Sequence, residues 1–252
     1  MLRCAPAPSV NSDMHSRFLA IQKSYGILVR YAIGDDFFPE TWRNPPVAAR
    51  AAEINPAELE RFPAIIGAAL AAYPPNVIKK NLKEIRLARE MYFFETSYGA
   101  TSSDCLIYLS DRGSNEGFTD TYLIGSIHHE FAHILYANYD FPQRQWRSAL
   151  PRGFSYRGHD NGGLEAISKG ADSLAGSVEL YARGFLNEYS LASLEEDVCI
   201  YSETILTSPE EFMTLAEKYP AIETKFKIWL KFYHSIDSSF TVEHLVRAHP
   251  IP

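Results

Sequence analysis

Cysteine is scarce in this chain. Three residues in 252, Cys4, Cys105 and Cys199, stand too far apart for a disulfide framework or a thiolate zinc site. Cys105 and Cys199 sit in apolar surroundings and read as small buried hydrophobes. No run of about 18 apolar residues occurs, which leaves no membrane-spanning helix. Positive charge is also short: 24 Lys and Arg against 31 Asp and Glu give a net charge of −7, with no basic cluster. Nucleic acid is therefore not an expected partner. Internal repeats and low-complexity segments are absent too, which argues against solenoids and linker arrays. What remains is ordinary globular material, 46% hydrophobic and 22% charged, long enough for one substantial core. The expected organisation is a flexible tail over 1–15 and a single domain over 16–252.

Along that domain, a helix is expected over 16–23, a strand over 25–33 and a proline-rich loop region over 34–56. A helix follows over 57–72, ended by Pro74-Pro75, and 77–89 is ambiguous. Asp104 to Ser110 reads as a strand, and 140–163 as a long loop. Helices fill most of 164–238, with breaks near Gly184 and Pro209. The fold class is α+β, dominated by helices.

The most informative segment is His128-His129-Glu130-Phe131-Ala132-His133, which contains H-E-x-x-H. Thr119 and Asp120 offer an N-cap, and Leu123, Ile127, Phe131, Ile134 and Leu135 recur at helical spacing until about Asn138. On that helix His129 and His133 lie four apart on one face, where two imidazoles can hold one metal ion. Glu130 follows the first of them, where a carboxylate can take a proton from a metal-bound water. Read by itself, the motif also fits a helix whose histidines are satisfied by ordinary hydrogen bonds. His128 has only Ala132 one turn on, so it is a flanking histidine. His159 reads as a loop histidine, and His234, His244 and His249 as surface or packing residues.

A catalytic zinc site needs a third protein ligand. The segment Ser193 to Leu206 reads as a helix capped by Ser193, with Leu194, Val198, Ile205, Tyr201 and Cys199 on its apolar side. It offers Glu195, Glu196, Asp197 and Glu203, and periodicity does not choose among them.

These motifs together resemble the gluzincin-type zinc-binding metallopeptidases often found as lipoproteins of the bacterial cell envelope. Their pattern runs from H-H-E-F-A-H to Gly-Phe-x-x-x-Tyr-Ala, then to Glu-Asp-Phe-x-Glu about seven residues after the Tyr. Here Gly184-Phe185-Leu186-Asn187-Glu188-Tyr189-Ser190 is followed, seven residues after Tyr189, by Glu196-Asp197-Val198-Cys199-Ile200. Weaker similarity extends to Tyr25–Tyr31 and to Phe240–Arg247. The resemblance implies a zincin-like fold with a small sheet, and one Zn²⁺ held by His129, His133 and Glu196. It also implies hydrolysis of a peptide or protein substrate, with Glu130 as general base and Tyr189 as hydrogen-bond donor to the oxyanion. The strand before the metal helix, 104–110, is expected at a sheet edge, where an extended peptide could pair. One position departs from the pattern: the family's second Glu is Ile200 here, and Glu203 or Asp197 is the candidate replacement for orienting a zinc histidine. That departure supports an alternative, a catalytically degenerate binding protein of the same fold. Cys4 precedes a tether-like Ala-Pro-Ala-Pro-Ser, as a lipid-bearing cysteine would, but no signal-peptide hydrophobic region precedes it. The resemblance implies the envelope or secretion; the start as written implies the cytoplasm.

Overall fold

A computed structural model describes residues 12–158, 163, 166, 170 and 173–247. The tail with Cys4, the loop histidine His159 and the terminal His249 lie outside the described residues. In chain order the elements are α1 (Ser12–Tyr25), β1 (Leu28–Arg30), α2 (Glu40–Arg43), β2 (Arg50–Ala52), α3 (Pro56–Leu59), α4 (Phe62–Ala71), α5 (Pro75–Asn81), β3 (Glu84–Ala88), β4 (Glu90–Phe93), β5 (Thr96–Tyr98), β6 (Ala100–Ser103) and β7 (Leu106–Ser110). The carboxy-terminal half adds α6 (Asp120–Asn138), α7 (Gln143–Ser148), α8 (Val178–Ala182), α9 (Leu194–Thr207), α10 (Pro209–Lys218), α11 (Pro220–Ile236) and α12 (Val242–Arg247). The protein is a helix-dominated α+β structure, and no helix among the described residues is long and apolar enough to cross a membrane.

Two small sheets occupy the amino-terminal half. One has the order β1-β3-β7-β6, with β1, β3 and β7 parallel and β6 antiparallel to β7. The other is an antiparallel β2-β4-β5 meander over a second, aromatic core that includes Phe37, Phe38, Phe93 and Tyr108. The strand read over 104–110 starts two residues late, at Leu106, and it is not at the edge. Asp104 and Cys105 both have positive φ (51° and 66°) and form a two-residue hairpin turn, which brings β6 back alongside β7. The sheet edge is therefore β6. Its Ala-Thr-Ser-Ser sequence has neither apolar alternation nor bulk, so it gave no strand signal.

Other expected elements shift in explicable ways. The helix over 57–72 is two, α3 and α4, each with a proline in its first turn. The 77–89 stretch splits into the end of α5 and the buried strand β3. The strand over 25–33 shrinks to three residues, and the helix over 16–23 begins at Ser12. The 140–163 loop contains α7, held by Trp146, which is fully buried.

Two helices carry the centre of the molecule. Thr119 caps α6 by accepting from the Tyr122 amide (3.2 Å), and Leu123, Ile127, Phe131 and Leu135 are completely buried along its core stripe. Ser193 caps α9 by accepting from the Glu196 amide (3.1 Å). The two helices pack along each other, and Gly125 permits the contact: a Cβ there would sit 3.2 Å from Glu203 Cγ and 3.4 Å from Thr207 Oγ1.

Candidate metal centre

The α6–α9 seam brings together residues 67 positions apart. His129 Nε2 lies 3.0 Å from Glu196 Oε2 and 3.2 Å from His133 Nε2, and His133 Nε2 lies 3.5 Å from the same Glu196 oxygen. Each imidazole is oriented through its other nitrogen. His129 Nδ1 donates to Glu203 Oε2 (3.1 Å), and His133 Nδ1 donates to Glu195 Oε1 (2.7 Å). A neutral imidazole carries a single N–H, and in this arrangement the carboxylates take it. Both Nε2 atoms are then left with lone pairs, aimed at each other and at a carboxylate. Two imidazole nitrogens and a carboxylate oxygen thus lie within 3.5 Å of one another.

The dimensions of that triangle test whether a metal fits. Bonds of about 2.0–2.1 Å to a tetrahedral zinc place ligand atoms about 3.3 Å apart. The observed edges of 3.0, 3.2 and 3.5 Å bracket that value. Residues, separations and oriented tautomers all suit a divalent cation. Among the described residues no Lys or Arg forms an ion pair with Glu130, Glu195, Glu196 or Glu203.

Electrostatics carry the same message. Burial works to lower the pKa of His129, but Glu196 and Glu203 outweigh it and hold the pKa well above the ordinary value. Burial opposes charge on His133 too, and Cys199, Glu196 and Glu195 raise it in the same way. Burial would raise Glu196, yet His133 and His129 draw it well below the usual carboxylate range. Metal-free, the cluster holds extra protons where a metal would sit. The first turn of α9 adds its own preference, since an amino-terminal helix end favours anions such as Glu195 and Glu196.

Glu130 stands beside this cluster. It is buried, and its Oε2 accepts from Ser102 Oγ on the edge strand at 2.8 Å. Burial pushes its pKa up, while His133, His129 and the Ser102 hydroxyl pull the other way. Tyr189 is half-buried and stacks on His129 with ring centroids 6.0 Å apart. Burial and then Glu196 push the Tyr189 phenol far up, so it stays protonated and able to donate. Gly163 backs onto this corner: its Cβ would lie 2.7 Å from the Tyr189 hydroxyl and 3.1 Å from the Glu196 carboxyl carbon. A cleft of about 770 Å³ opens over the cluster, and its lining includes Ser102, Glu130, Tyr189, Trp42, Phe93 and Phe94.

The remaining histidines do other work. His128 is completely buried, with Nδ1 3.0 Å from the Tyr73 hydroxyl, and it faces away from the cluster. His234 bonds the Phe240 carbonyl and His244 the Ala72 carbonyl. Of the two candidates to replace the carboxylate missing at Ile200, Glu203 reaches His129. Asp197 does not: its Oδ2 accepts from Lys225 Nζ (2.6 Å), Tyr156 (2.6 Å) and Trp146 (2.9 Å). The sequence reading missed Ser102, which carries no motif, and the link from Glu195 to His133. It also missed Cys199, whose sulfur lies within 4.8 Å of a nitrogen of both His129 and His133.

No protein-family model matches this chain, and no curated protein matches it. The crystal structure of a putative zinc-binding metallo-peptidase from Bacteroides caccae does, with a TM-score of 0.60 over 97% of this chain and 94% of that one. The two proteins share a fold. Their sequences are 18% identical, so the likeness concerns architecture, and the chemistry has to be argued from this chain's own side chains.

Proposed function

We propose that this protein is a zinc-dependent peptidase with a zincin-like fold of the gluzincin type, holding one zinc ion through His129, His133 and Glu196. The observation that carries the reading is the triangle of donor atoms, His129 Nε2, His133 Nε2 and Glu196 Oε2, with edges of 3.0, 3.2 and 3.5 Å. When bound there, zinc supplies Lewis acidity toward a water and a carbonyl oxygen. The chain's own residues have separable tasks. Glu203 and Glu195 hold the two Nδ1 atoms, so Nε2 is the nitrogen each ring would offer to the metal. Glu130 Oε2, held by Ser102, is placed to accept a proton from water and return it to a leaving amine. The Tyr189 hydroxyl, kept protonated, is available to donate to an oxygen as negative charge develops on it. The β6 edge, lining the cleft, offers unpaired main-chain groups to an extended peptide.

The degenerate-binder alternative drew its support from Ile200. Glu203 bonds His129 from the next turn of α9, so that support is lost and the catalytic reading is preferred. The experiment is cleavage of a peptide library by zinc-loaded protein. Wild type should cut, and Glu130→Gln should bind zinc and leave the library intact. Equal cleavage by both would refute the assignment of Glu130, and zinc-loaded wild type that cuts nothing would refute the peptidase reading.

A further inference from the structure

The donor triangle does not use up the metal-binding groups in the seam. Cys199 follows Glu196 by three residues on α9, so the two side chains share a helix face turned toward α6. Its sulfur and one nitrogen of each histidine lie within 4.8 Å of one another. It is completely buried, whereas His133 is half-buried at the cleft. Its neighbours Val198 and Ile200 are packed into apolar core, so a small apolar residue would have served for packing alone. A thiol there is a soft donor beside the two imidazoles.

We infer that Cys199 is a fourth protein donor to the same metal, approaching it from the core while the cleft lies on the other side. This rests on the metal reading above and adds to it. The ion takes two nitrogens, one oxygen and one sulfur, and the thiol proton leaves to solvent as it enters. Such a set favours zinc over the harder magnesium, calcium and manganese ions. It also means that water joins the ion by expanding its coordination, which zinc tolerates.

Cobalt(II) tests this without reference to activity. Metal-free, full-length protein titrated with Co²⁺ should develop sulfur-to-cobalt charge-transfer absorption in the near ultraviolet. That absorption should saturate at one equivalent together with the visible ligand-field bands. Cys199→Ser should keep the visible bands and lose the near-ultraviolet one, with zinc affinity down by at least the roughly tenfold that loss of an outer partner costs. Cys105→Ser, at the cleft rim, should keep both sets of bands. X-ray absorption at the zinc edge of wild type should find one sulfur at about 2.3 Å, a reading that stands even if Cys199→Ser does not fold. Ligand-field bands without charge transfer, a sulfur-free zinc shell, or charge transfer that survives in Cys199→Ser would each overturn the inference while leaving the three-residue site intact. Failure to bind cobalt at all would refute the metal reading and this inference with it.

Discussion

Glu196 and Asp197 are adjacent acids on one buried helical turn, and they have opposite fates. Asp197 points toward α11, where Lys225 meets it at 2.6 Å with both side chains fully buried. The Lys225 ammonium also donates to the Gly184 carbonyl and rests over the Phe185 ring, 4.1 Å from its centroid. That charge is balanced inside the protein and sealed. Glu196, rotated about 100° around the same helix, faces two imidazoles whose Nδ1 atoms are held by Glu203 and Glu195, and its side chain lies on the cleft. One acid is paired with a lysine, and the other with two histidines whose charge depends on pH. The contrast separates a structural carboxylate from the one proposed to bind metal more sharply than burial does, since both are buried.

The comparison can be broken most severely at Glu130. Glu130→Gln should lower peptide cleavage by about 10²–10⁴-fold or more at unchanged zinc content, measured on the same preparation by steady-state assay and metal analysis. A loss of zinc in that variant would mean that Glu130 is part of the donor set.

On the sealed side the expected effect is on folding. Lys225→Met strands Asp197 without its partner and should cost about 3–5 kcal/mol of stability by denaturant titration. Glu196→Gln should cost much less stability but abolish tight zinc binding. If Lys225→Met unfolded no more easily than Glu196→Gln, the two acids would not differ as described.

A finer distinction lies among the orienting carboxylates. Glu203→Gln should weaken zinc binding by about 10–100-fold, by calorimetry or competition with a chelator. Glu195→Gln should act in the same direction but more weakly, because its side chain is 39% exposed against 23% for Glu203.

The smallest effect is on pH. His129 and His133 have raised pKa values in the metal-free protein, so their stabilising contribution is complete below the ordinary 6.5 and lost as pH rises through the raised values. Glu196, held low, contributes above its ordinary 4.5 and loses that contribution only well into acid. The melting temperature of metal-free protein should therefore decline as pH climbs above neutrality, and saturating zinc should remove the decline. An identical slope with and without zinc would place the protons elsewhere.

What could be read without coordinates follows from which forces are local. The caps Thr119 and Ser193, the apolar stripe of α6 and the i, i+4 histidines are written within a few residues, and periodicity exposes them. The choice of Glu196 among four acids was not local; it came from a resemblance, and only the α6–α9 packing shows where each acid points. Ser102 and the β6 edge were invisible because a short polar strand is defined by its partner and by a left-handed turn at Asp104-Cys105. Cys199 was read by its hydrophobicity, which does describe its burial, but its nearness to two imidazoles depends on the meeting of two helices.

The donor triangle of His129, His133 and Glu196 in the α6–α9 seam is proposed to hold a zinc ion. The direct measurement is metal content after purification without added metal, read beside the zinc stoichiometry and affinity of wild type, His129→Ala and Glu196→Ala. Wild type should carry close to one tightly held zinc per chain, and either variant none. Wild type that takes up no stoichiometric zinc, or variants that bind it as well as wild type, would contradict this proposal.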